Sequence, residues 1–124
     1  MITFDVFQKI YDELMVFVPK NATKVVFYFE YGTESYSFEF FYSDGSNYTK
    51  CFDIHNLDYE ALMSSFDVVD GILSETRDAC DDKKWTTLTM SVDSEGNMHT
   101  DFDYSDLSSG TYEYKKIWKK KYLK

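Results

Sequence analysis

Proline occurs once in this chain of 124 residues, cysteine twice and glycine five times. So few breakers leave little room for long irregular loops or a disordered tract. Cys51 and Cys80 have no C-x-x-C partner and are too few for a disulfide scaffold, so they read as reduced structural thiols. Long apolar runs are missing too. Nothing approaches the roughly 18 residues of a membrane span, and Met1–Asp5 lacks the basic and apolar segments of a secretory signal. A cytoplasmic location is the expectation, under which the sequons at Asn21 and Asn47 carry no meaning. Positive charge is scarce: 13 Lys and Arg stand against 22 Asp and Glu, a net charge of −9, with a pI near 4.5. A basic nucleic-acid footprint usually brings a pI above about 9, so this balance argues against binding nucleic acid directly. It argues equally against docking on an anionic membrane.

What the chain does have is aromatic mass, 19% Phe, Tyr and Trp. Its length suits one domain over residues 1–124, burying roughly two-thirds of the surface of the unfolded chain. Phe7, Ile10, Tyr11, Leu14 and Val18 share one face of a first helix, with Thr3 as N-cap and Pro19 as stop. Alternation over 24–31, 35–42 and 47–52, with turns at 32–34 and 43–46, predicts a three-stranded meander. A long helix follows, capped near Asn56 or Asp58 and ending about Asp81. Leu62, Phe66, Val69, Ile72, Leu73 and Cys80 form its apolar face, and Gly71 weakens it by about 1 kcal/mol relative to Ala. Residues 85–92 and 98–104 make a hairpin around Ser94-Glu95-Gly96-Asn97. In its second strand Met98, Thr100, Phe102 and Tyr104 point inward, and His99, Asp101 and Asp103 point out to solvent. A last helix from Tyr112 turns Tyr114, Ile117, Trp118 and Tyr122 to the core, so Trp85, Phe102, Tyr104 and Trp118 are expected to be largely buried. The fold class is α+β, in the order α-β-β-β-α-β-β-α: an antiparallel five-stranded sheet with helices packed mainly on one face.

The pattern offers no catalytic, metal or cofactor site. His55 and His99 stand outside any triad or metal-ligand spacing. Asp101-x-Asp103 has the donors for a hard cation, yet strand alternation accounts for the same residues. Phosphate-cradling glycine motifs do not occur, and carboxylates are too abundant to single out an acid–base pair. The informative feature is where the carboxylates fall. Glu60, Asp67, Asp70, Glu75, Asp78, Asp81 and Asp82 project into an arc of about 140° opposite the apolar face of the long helix, at roughly 100° per residue. Arg77 is the only base between Lys50 and Lys83, so i,i+4 pairing does not account for the stripe. A row of like charges repels itself, so reversing Asp67 and Asp78 should leave stability intact or improved. Such a face suits a basic partner, with Asp101 and Asp103 as further candidates. The C-terminus inverts the sign. From Tyr112 onward six lysines and one glutamate leave +5, and the remaining seven bases and 21 acids give −14 over residues 1–111. Lysines there favour the helix macrodipole.

Trp85-Thr86-Thr87-Leu88-Thr89, the turn Ser94-Glu95-Gly96-Asn97, the run Asp101-Phe102-Asp103-Tyr104-Ser105-Asp106-Leu107 and the ending Ile117-Trp118-Lys119-Lys120-Lys121-Tyr122-Leu123 resemble the C-terminal half of the YezG-like immunity proteins. Val26-Phe27-Tyr28-Phe29-Glu30 and Phe40-Phe41-Tyr42 are similar to strands of that family's N-terminal half. The connection between Leu107 and the last helix is short for the family. The resemblance implies a non-catalytic antitoxin of Gram-positive bacteria, without cofactors. It would bind a secreted toxin carrying an LXG-type export domain and a C-terminal nuclease, and silence it inside the producing cell. An acidic face complements the cationic groove that a nuclease presents to phosphate. The alternative is an acidic binding module for another basic protein, sharing the fold alone. The oligomeric state is not encoded in any pattern found.

Overall fold

The computed structural model describes residues 4–32, 35–80, 83–108 and 110–124. The elements are α1 (Phe4–Leu14), β1 (Lys24–Tyr31), β2 (Tyr36–Ser43), β3 (Tyr48–Lys50), α2 (Tyr59–Asp78), β4 (Thr87–Asp93), β5 (Met98–Asp103) and α3 (Tyr112–Tyr122), in the expected order. The strands form one open sheet, β3-β2-β1-β4-β5, every neighbouring pair antiparallel. Thr3, the expected first cap, lies outside the described residues.

Boundaries move where local chemistry competes with periodicity. α1 gives way at Leu14 to a 3₁₀ turn over Met15–Phe17, and Val18 is extended (ψ 126°), as the residue before a proline must be. β3 stops at Lys50 because Cys51–Asp53 coils into a 3₁₀ turn that buries Cys51 and leaves Phe52 outside. Asp58, not Asn56, caps α2: its carboxylate accepts the Ala61 amide at 3.1 Å, while Asn56 turns the chain at φ 61°. At the other end, Lys84 Nζ donates to the Arg77 and Asp78 carbonyls at 3.1 Å each, satisfying acceptors a helix end leaves free.

β1 explains the layering. Val25 through Phe29 are all buried, so both faces of the central strand need cover. On one face Val25, Phe27 and Phe29 pack with Phe38, Phe40, Leu88 and Met90 beneath Ile10 and Leu14 of α1 and Leu62, Phe66, Val69 and Leu73 of α2. On the other, Val26, Tyr28 and Phe41 receive Trp118 of α3. Two helices therefore share one face and the third crosses the sheet.

Trp85 and Trp118 are buried, but Phe102 is 36% and Tyr104 45% exposed, against expectation. Phe102 sits on an edge strand, with rings on one side only: Phe7 at 6.4 Å and Trp85 at 5.5 Å. Tyr104 lies past the end of β5. Ile117 is 66% exposed, because α3 meets the sheet along the narrow line Tyr114, Trp118, Tyr122, four residues apart.

Candidate partner-binding surface

α2 lies on the sheet with its apolar stripe inward, which turns Glu60, Asp67, Glu75 and Asp78 to solvent and leaves Asp70 half-buried at the flank. Asp81 and Asp82 lie outside the described residues. The row is less uniform than its sequence suggests. Tyr36 donates its hydroxyl to Asp67, Tyr31 donates to Asp70 at 2.6 Å, and Lys84 Nζ stands 3.9 Å from Asp78 Oδ1. Three of these carboxylates are therefore also held by the fold, and reversing Asp67 or Asp78 removes a contact as well as a repulsion. The bond to Asp67, with some burial, pushes the Tyr36 phenol up to about 12.

Asp101 and Asp103 do face away from the main core, as alternation predicts, but α3 covers them. Tyr122 donates to Asp101 at 2.7 Å and Tyr114 to Asp103 at 3.0 Å. Burial acts to raise Asp103. The Ser105 hydroxyl and amide and the Tyr114 hydroxyl outweigh it and hold the carboxyl below its ordinary value. Between them Trp118 Nε1 donates to Thr89 Oγ1 at 2.8 Å, a fully buried bond. These three bonds and the aromatic rings bound a groove of about 390 Å³ beside Ile117. His99 Nε2 is 3.6 Å from Asp101 on the exposed side.

Two arrangements escaped the pattern. Glu39, buried at the sheet's second face, lies between Lys50 at 3.5 Å and Lys115 at 3.0 Å. The Lys115 contact is an ion pair at an angle that makes no directed hydrogen bond. A charged residue amid Phe38, Phe40 and Phe41 was the signal available. Arg77 donates Nε–H to the Trp85 carbonyl at 2.6 Å, with its guanidinium 5.0 Å from the Tyr31 ring and 5.7 Å from that of Trp85. Among the described residues no three His, Cys, Asp or Glu side chains gather as a metal site, and no helix is long and apolar enough to cross a membrane.

Fold and surface together define an α+β protein with an acidic helical face, in which five side-chain hydrogen bonds among the described residues fasten helices to the sheet. A family model described as immunity protein YezG-like matches residues 4–124, and the chain belongs to the YezG-like immunity protein family. Comparison with curated proteins gives no match.

Proposed function

We propose that the chain is the cytoplasmic immunity protein of a secreted nuclease toxin, and that it acts by binding rather than by catalysis. The carrying observation is the exposed row Glu60, Asp67, Glu75 and Asp78 on α2, in a protein of net charge −9 and of an immunity family. A nuclease holds its phosphate backbone with cations. A rigid acidic helix offers those cations an alternative ligand, raises the rate of encounter and excludes substrate once seated. The non-catalytic part is supported by how α3 occupies polar groups on the sheet's second face: buried Glu39 and Thr89 and half-buried Asp103 are engaged by Lys115, Trp118 and Tyr114.

The test is co-expression with the toxin domain encoded beside this gene. Growth should be rescued, and nuclease activity titrated to zero at a fixed stoichiometry by purified protein. Toxin activity that persists at saturating immunity protein rejects the reading. Turnover of nucleic acid by the isolated protein that disappears in Asp101→Asn would show an enzyme instead.

A further inference from the structure

The sheet is incomplete at one corner. β3 pairs only with Phe41–Ser43, so among the described residues no strand lies beside the outer edge of β2 from Tyr36 to Glu39. Register fixes which groups point there. Tyr31 donates its amide to Thr86 O, toward β4, and successive strand residues alternate the side to which they bond. Even-numbered β1 residues therefore bond β2, through Ser37, Glu39, Phe41 and Ser43. The backbone amides and carbonyls of Tyr36, Phe38 and Phe40 point to the outer edge, while the Phe38 and Phe40 side chains stay in the core. The Phe40 backbone meets the Cys51 thiol, which leaves the amides and carbonyls of Tyr36 and Phe38 as a short open ladder.

A groove of about 240 Å³ runs between this edge and α2, walled by Phe38, Phe52, Met63, Phe66 and Asp67. Tyr36, Phe52 and Tyr59 are exposed around it, the last two with ring centroids 5.8 Å apart. Glu60 lies about two turns before Asp67 on the same side of the helix. Open edges are usually blunted by charge, proline or a bulge. Here the neighbouring surface is aromatic, and its margin is acidic on the α2 side, where it runs directly into the acidic face of that helix. At the β3 end Lys50 stands 5.7 Å from the Phe52 ring, with its charge matched by Glu39 at 3.5 Å.

We propose that this corner is a strand-addition site for a basic partner protein. A short extended segment would pair its backbone with Tyr36 and Phe38, seat an apolar side chain against Phe52 and Met63, and extend a lysine or arginine to Asp67. The charge of the margin selects a basic occupant. A second copy of this chain, itself at −9, is the poorer fit. At about 3.3 Å per residue the open edge seats only three or four residues, so it anchors a partner that the rest of α2 also contacts. The proposal rests on the reading that the protein works by binding another protein.

The first arm of the test uses a capped pentapeptide of alternating lysine and valine, its backbone N-methylated counterpart, and a glutamate–valine version, each titrated against the full chain by NMR. The lysine peptide should shift the amides of Tyr36 and Phe38 and slow their hydrogen exchange, and the other two should not. Shifts confined to another surface, or equal binding of the N-methylated peptide, overturn the proposal. The second arm uses the toxin domain. Phe52→Arg, checked by thermal melt, should weaken binding about tenfold or more, and Ser94→Arg, at the exposed β4–β5 turn, should not. Wild-type binding with full affinity in Phe52→Arg and unprotected Tyr36 and Phe38 amides overturns the proposal. A wild-type protein that binds the peptide at this edge but not the toxin domain rejects the toxin reading alone.

Discussion

Arg77 joins two elements through geometry that a point charge cannot reproduce. Its planar group serves the Trp85 carbonyl and lies against the Tyr31 and Trp85 rings at once. Arg77→Lys keeps the charge and loses the stacked plane. It should cost about 2–4 kcal/mol in urea melts, the range of a hydrogen bond from a charged donor plus one aromatic contact. Gly71 is the opposite case. It is exposed in the interior of α2, and a Cβ there would meet nothing within 4 Å, so Gly71→Ala should raise stability by about 0.5–1 kcal/mol, the entropy a glycine loses in a helix. An unchanged midpoint would mean that α2 frays at that turn. Gly71 was legible because helix periodicity flanks it. The role of Arg77 was not, since periodicity gives the direction in which a residue leaves the helix and not where a long side chain ends.

At the scale of elements, α3 shows what patterning can and cannot deliver. Its existence and its buried Trp118 follow from the aromatic spacing of Tyr114, Trp118 and Tyr122. Its place on the second face does not, because an amphipathic helix does not state which side of a sheet it covers. The clue lay in β1, where five successive buried residues call for cover on both faces. Asp101 and Asp103 looked like solvent-facing carboxylates for the same reason: alternation separates the faces of a strand but does not reveal a helix arriving from elsewhere. Trp118 links α3 to three strands, through Tyr28 at 4.8 Å, Phe41 at 5.7 Å and the bond to Thr89. Trp118→Ala should cost about 3–5 kcal/mol. Trp118→Phe, which keeps the ring packing and loses the buried bond, should cost about 1–3 kcal/mol. A Trp118→Ala protein with an unchanged midpoint that no longer binds its partner would make Trp118 a surface contact and the placement of α3 wrong.

For the whole molecule, charge and protonation act over longer range. If the acidic face steers a partner, Glu60→Lys with Glu75→Lys should slow association at low salt, by a factor that shrinks as the Debye length falls to about 3 Å at 1 M. That pair is the cleaner choice, since Asp67 and Asp78 also serve Tyr36 and Lys84. Equal association rates at both salt concentrations would make the face ordinary solvated surface. The pH response follows from the hydroxyls that fasten the fold. Burial and then a bond to Glu30 raise Tyr28, and burial and then a bond to Asp70 raise Tyr31. Burial and then a bond to Asp101 raise Tyr122. Tyr36 and Tyr114 are pushed up to about 12, the first chiefly by its bond to Asp67 and the second by burial, and burial lifts the Cys51 thiol to about 11. All six are held protonated in the fold above their unfolded values, so their contribution is complete below the unfolded pKa and is lost as pH rises through the folded one. Stability should therefore decline from about pH 9, where an unfolded thiol and then unfolded tyrosines near 10 begin to ionise, and continue to fall to about 12. The acid side has the opposite sign. Asp103 is lowered despite burial, and backbone amides lower Asp44 and Asp93, so their contribution is present above roughly pH 4 and fades below it. Thermal midpoints measured from pH 3 to 12 should form a plateau with a steep alkaline shoulder. Absorbance at 295 nm should show part of the 11 tyrosines ionising only as the protein unfolds. A smooth titration of every tyrosine near pH 10 with the fold intact would mean that these hydroxyls do not anchor it.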